Sequence, residues 1–261
     1  MKKALICVSF GTSVPAARVN IESVEQVIRE TCPDADFFRA FTSPTIRRIL
    51  QSRGETVLSL EETLRNVEKA GYQDVIVQPT HFLFGTEYDK IRAAVQVYSG
   101  RFRTLLLGRP LLASQKDLDR VAEYFMKTYP SEAGKAVVLF GHGTLHFANT
   151  TYPALQTVFL IRHRPDILVG TAEGWPTVQD VREELRDGGY TSVTLVPAML
   201  VNGDHVMNDL TGDKPDSWRS ILLADGYEVN CVRKGLGTEP DILDLYRDHF
   251  EALLRGEDNV L

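Results

Sequence analysis

Two near-continuous apolar runs, 4–10 and 136–140, each lead into a Gly-x-Gly-Thr or Gly-Thr turn. Runs without polar alternation are typical of parallel strands buried on both faces. Helical stretches follow at roughly 14–31 and 147–162. Short runs ending at Phe41 and Glu173 come next, each preceded by a Pro-Asp turn. Ser59-Leu60-Glu61-Glu62 and Thr177-Val178-Gln179-Asp180 then fit the capping-box start of a helix. Both helices stop at Gly-Tyr, and the strands after them, 75–77 and 193–196, close on a proline. Final strands at 104–107 and 228–232 lead toward helices from about Asp117 and over 240–254. Strands alternating with helices predict right-handed crossovers and parallel sheets covered on both faces. The expected architecture is α/β, two similar halves of four parallel strands flanked by helices, with a cleft between them. The halves divide as 1–130 and 131–261.

The halves are copies. Residues 3–12 align with 135–144 at an offset of 132, which also pairs Pro33-Asp34 with Pro165-Asp166 and Phe41 with Glu173. After a 14-residue surplus in the first copy the offset becomes 118, pairing Ser59 with Thr177, Pro79 with Pro197 and Glu87 with His205. The repeat reads residues 3–12 as a strand rather than a cleaved leader, although Met-Lys-Lys before an apolar run imitates one. No segment approaches the roughly 18 apolar residues of a membrane helix. A cytoplasmic protein is expected.

Composition narrows the function classes. Of 261 residues, 43% are hydrophobic and 25% charged, as in an ordinary globular enzyme. A net charge of −6 argues against a nucleic-acid binder, which would present a basic face. Cys7, Cys32 and Cys231 lack CxxC spacing, so neither a disulfide frame nor a zinc ribbon is indicated.

The copies differ where chemistry is expected. Ligands of open α/β sheets bind beyond the strands' carboxyl ends. There the second copy carries His142, Glu173 and His205, while the first carries Phe10, Phe41 and Glu87. Alone, His142 reads as a histidine satisfied by nearby backbone, Glu173 as a helix-start carboxylate and His205 as a surface histidine. Together, two imidazoles and a carboxylate are the usual donors for cobalt, iron, nickel or zinc. Such a set leaves coordination positions open, as a site that hands its metal on requires. Phe10 and Phe41 offer flat apolar faces to a large planar ligand, and Glu87 can accept protons. Arg47 and Arg109, with Arg39 and Arg48, can pair with substrate carboxylates. Met199 and Leu200, ahead of His205, are further candidate substrate contacts, and His81 is a lesser candidate. A hydrolase using the same strand ends is disfavoured, because the glycine-rich segments match neither a P-loop nor GxGxxG.

Ser9-Phe10-Gly11-Thr12-Ser13, Phe38-Arg39-Ala40-Phe41-Thr42-Ser43, Gly141-His142-Gly143 and Leu200-Val201-Asn202-Gly203-Asp204-His205 together resemble the anaerobic cobaltochelatases of the CbiK type. Asn208-Asp209, Asp216-Ser217-Trp218 and Gly235-Leu236-Gly237 extend the resemblance over essentially the whole chain. It implies a class II chelatase fold, with ATP-independent insertion of Co²⁺ into sirohydrochlorin or precorrin-2 in anaerobic cobalamin synthesis. It implies His142, Glu173 and His205 as metal ligands; the residues themselves put His142, His205 and Glu87 in catalysis, with Glu87 or a metal-side histidine accepting the pyrrole protons. Ni²⁺, Zn²⁺ or Fe²⁺ can occupy the same donors. The partner implied is a small tetrapyrrole, with no nucleic acid and no membrane; self-association stays open. The alternatives are a tetrapyrrole or metal carrier and a ferrochelatase acting on sirohydrochlorin.

Overall fold

The structure, a computed structural model, describes residues 2–203 and 206–261. The first repeat forms β1 (Lys3–Ser9), α1 (Arg18–Thr31), β2 (Asp36–Phe41), α2 (Pro44–Ser52), α3 (Leu60–Lys69), β3 (Asp74–Pro79), α4 (Thr86–Gln96) and β4 (Thr104–Leu107). After α5 (Gln115–Thr128), the second forms β5 (Lys135–Gly141), α6 (Thr151–Ile161), β6 (Ile167–Thr171), α7 (Val178–Asp187), β7 (Ser192–Pro197), α8 (Trp218–Ala224), β8 (Glu228–Cys231) and α9 (Pro240–Leu254).

Two four-stranded parallel sheets result, ordered β2-β1-β3-β4 and β6-β5-β7-β8. The order is the same in both, and so is the register: Val8 lies opposite Pro79 as Phe140 lies opposite Pro197. The central strands β1 and β5 are buried along nearly their whole length, which explains their unbroken apolar pattern. In the first sheet, Ile6, Val8 and Val77 pack with Leu64 of α3 and with Tyr88 and Ile91 of α4. In the second, Val138, Phe140 and Leu195 pack with Trp218, whose ring meets Phe140 edge-on at 5.1 Å.

Both helix-start signals act as read. Ser59 Oγ accepts from Glu62 N while the Glu62 carboxylate accepts from Ser59 N at 2.7 Å; Thr177 and Asp180 repeat the pattern. Ser59→Ala should cost about 1 kcal/mol in a urea melt. The Ser59 backbone N–H holds the Glu62 carboxyl below the usual glutamate range. That contribution is therefore present above the unfolded value of about 4.3 and is lost as pH falls through the lower folded one. The destabilisation caused by Glu62→Ala, which removes that carboxylate, should shrink in melts repeated in acid; an unchanged Glu62→Ala difference there would contradict this account.

The 14-residue surplus of the first copy contains α2, a helix not anticipated from the pattern. Its start was nonetheless marked: Ser43 Oγ accepts from Ile46 N, and Pro44 occupies the first turn.

Packing also divides the chain differently from the repeat. One compact unit comprises Met1–Ala113 with Gly237–Leu261, the other Ser114–Leu236. The 130/131 boundary follows the duplication, while two helices follow their contacts. In the second unit α5 packs against α6, with Arg162 bonded to Asp119 at 3.1 Å and Arg164 to the Tyr129 carbonyl at 2.7 Å. In the first, α9 packs against α1, and the Tyr246 hydroxyl donates to the Thr80 carbonyl at 2.7 Å. Beyond α9, Val260 N donates to the Leu107 carbonyl, at the end of β4.

Candidate metal site in the second unit

Parallel pairing of β5 with β6 ends at Gly141 opposite Thr171, and hydrogen bonds carry the pairing past both strand ends. Ala172 N donates to Gly141 O at 3.0 Å and Glu173 N to His142 O at 2.8 Å. The backbone therefore delivers His142 and Glu173 side by side. His142 Nδ1 lies 3.8 Å from Glu173 Oε2, and the side chains are 46% and 58% exposed. Both donors are thus open to a metal from solution. His142 Nδ1 also lies 3.0 Å from the Gly143 carbonyl. With the ring proton on Nδ1 and directed at that oxygen, Nε2 keeps its lone pair for a metal.

Two glycines make this approach feasible. Gly143 has φ +77°, and a Cβ there would stand 2.5 Å from Gly174 N. A Cβ on Gly174 would stand 2.9 Å from Thr144 N. From below, the buried Tyr152 hydroxyl accepts from Gly143 N at 3.4 Å, and burial pushes its pKa up to about 12. Tyr152 escaped the sequence reading, although the 132 offset places it opposite the smaller Asn20.

The third expected ligand, His205, lies outside the described residues, as does Asp204. Among the described residues no three of His, Cys, Asp or Glu converge on one point. What the structure brings together is the pair His142–Glu173.

In the first unit Glu87 occupies the first turn of α4 beside Lys90. Burial raises its pKa, but the bonds from Lys90 and Thr42 and the charge of Lys90 more than offset this, leaving it below the usual range. His81 is held neutral: burial pushes it down to about 4. Phe10 is 49% exposed and so presents its ring. Phe41 does not. It is fully buried, its ring lying against Gly11. The chain at Leu58 runs beside β2, accepting from Phe41 N at 3.0 Å, and Phe41 belongs to the core instead of a ligand face. Leu200 is likewise buried, and Met199 packs against the second unit's core. Arg47 faces Glu62 and Arg109 faces Asp258, each at 3.2 Å, so both guanidinium groups already have carboxylate partners.

The family model described as cobalt chelatase (CbiK) matches residues 3–255. The chain belongs to the CbiK family. A sirohydrochlorin cobaltochelatase of Salmonella typhimurium is 38% identical over 97% of both chains. The Nitratidesulfovibrio vulgaris sirohydrochlorin cobaltochelatase CbiKC is 30% identical, covering 99% of this chain and 93% of that protein. Among solved structures, SirB from Bacillus subtilis with Fe³⁺ superposes with a TM-score of 0.67 at 15% identity, covering 99% of both chains. CbiX, described as the terminal enzyme for siroheme biosynthesis in denitrifying bacteria, gives 0.55 at 12% identity over 95% and 98%. At these identities the two structures speak for the fold alone. Two parallel sheets of one topology are thus the CbiK scaffold, and His142 and Glu173 lie at its strand ends.

Proposed function

We propose that the chain inserts Co²⁺ into sirohydrochlorin, without ATP, on the oxygen-independent route to cobalamin. One observation carries this reading. An exposed imidazole and carboxylate stand 3.8 Å apart at adjacent strand ends, in a chain 38% identical to a sirohydrochlorin cobaltochelatase. In this reading His142, Glu173 and His205 hold the incoming ion, and the substrate is a polycarboxylate tetrapyrrole. An open ligand set suits transfer, because a closed four-ligand cage would retain the metal.

Insertion expels two pyrrole protons, for which Glu87 is the proposed acceptor. Its lowered pKa keeps it ionised and ready for a proton at neutral pH, and its weak basicity favours passing that proton to solvent. Phe10 supplies an apolar ring face for the macrocycle. The reading also places the enzyme in the cytoplasm.

The test is anaerobic absorbance spectroscopy of sirohydrochlorin with Co²⁺, Fe²⁺ and Ni²⁺ in turn. Multiple turnovers, fastest with Co²⁺, are expected. Stoichiometric binding without turnover would make the protein a carrier, and faster insertion of Fe²⁺ would make it a ferrochelatase.

A further inference from the structure

We propose that Asn149 is a positioning residue that clamps the two ligand-bearing loops together and so sets the spacing of His142 and Glu173. The inference rests on reading those two side chains as metal ligands. Asn149 lies in the short 3-10 turn Phe147–Thr150 ahead of α6. Its Oδ1 accepts from Thr144 N at 3.1 Å, and its Nδ2 donates to the Trp175 carbonyl at 2.5 Å. Thr144 is two residues past His142, and Trp175 is two residues past Glu173. The amide therefore joins the loops at matching points just beyond each ligand. The backbone bonds from Ala172 and Glu173 join them at and before the ligands.

The glycine at 174 makes room for this clamp, since a Cβ there would stand 2.2 Å from Asn149 Oδ1. Asn149's own N–H donates to His146 O, and His146 Nδ1 accepts from Ala148 N, which fixes the turn that carries it. A carboxamide is suited to the task because it offers an acceptor and a donor on neighbouring atoms. Aspartate has the same shape but only acceptors when ionised, so it would set an oxygen against the Trp175 carbonyl.

The decisive experiment measures Co²⁺ binding to the protein alone, by titration and by the visible absorption of the bound ion. It compares wild type, Asn149→Ala, Asn149→Asp and His142→Ala, with thermal melts of each. Both Asn149 variants should bind Co²⁺ about 10–100-fold more weakly, the range for losing a group that orients a ligand. Their cobalt absorption should change in intensity, while the melting temperature and the KM for sirohydrochlorin stay close to wild type. The isosteric aspartate should be no better than alanine, which a space-filling role would not produce. If His142→Ala binds Co²⁺ as wild type does, the ligand assignment itself falls. If His142→Ala loses the ion while both Asn149 variants keep wild-type affinity and spectrum, the clamp alone is refuted.

Discussion

His142→Ala should lower Co²⁺ insertion by at least about 100-fold, beyond the usual 10–100-fold loss when a ligand's orienting partner is removed. The imidazole is a direct donor in the proposed site, and its neighbour Glu173 cannot replace it alone. The side chain is nearly half exposed, and its loop is held by backbone bonds that alanine retains. Stability should therefore stay within about 0.5 kcal/mol of wild type, as for most surface changes. Anaerobic turnover and a urea melt on one preparation separate the two effects. Wild-type turnover from a folded His142→Ala protein would remove His142 from the mechanism.

Gly143→Val should damage fold and site together. Residue 143 holds φ +77°, a conformation that costs a β-branched residue about 1–3 kcal/mol. Its new Cβ would stand 2.5 Å from Gly174 N and 2.8 Å from Thr171 Cβ. The backbone at 174 cannot swing aside as a flexible side-chain tip would, and overpacking of this kind adds about 1–3 kcal/mol. A combined loss of about 2–6 kcal/mol is expected by urea denaturation, with weaker Co²⁺ binding because the loops must part. Gly71→Val is the control: φ is +76°, but nothing lies within 4 Å of the added Cβ. It should show only the smaller backbone cost. Equal losses at the two positions would mean that the close approach of the loops contributes nothing.

Much of this was legible because the chain is duplicated and its sheets are parallel. Aligning the copies located the strand ends, and parallel pairing makes the residues beyond neighbouring ends adjacent in space, as His142 and Glu173 are. The same reasoning misplaced Phe41. Equivalence to Glu173 suggested exposure, but the first copy's extra residues fold as α2 and return past Leu58, which bonds the Phe41 backbone, and the Phe41 side chain is fully buried. An insertion changes the surroundings of a position without changing its alignment. The exchange of α5 and α9 between units was not legible for a different reason. Both are amphipathic helices, and an apolar stripe states that a face is buried without naming the surface that buries it. Asn149 did leave a trace, since the offset sets it opposite Ala17. Nothing local to the residue marked it as a bridge between loops.

The placement of residues 237–261 bears on how the protein is made. The second unit, 114–236, is one uninterrupted stretch and has all its parts once residue 236 has left the ribosome. The first unit is begun earlier yet finished later, because its bonds from Tyr246 to the Thr80 carbonyl and from Val260 to the Leu107 carbonyl wait for residues 246 and 260. During synthesis the half carrying His142 and Glu173 can thus reach its native form ahead of the half that precedes it in the gene. A nascent chain exposed only as far as residues 236–246 would present the second unit whole while the first still lacked α9.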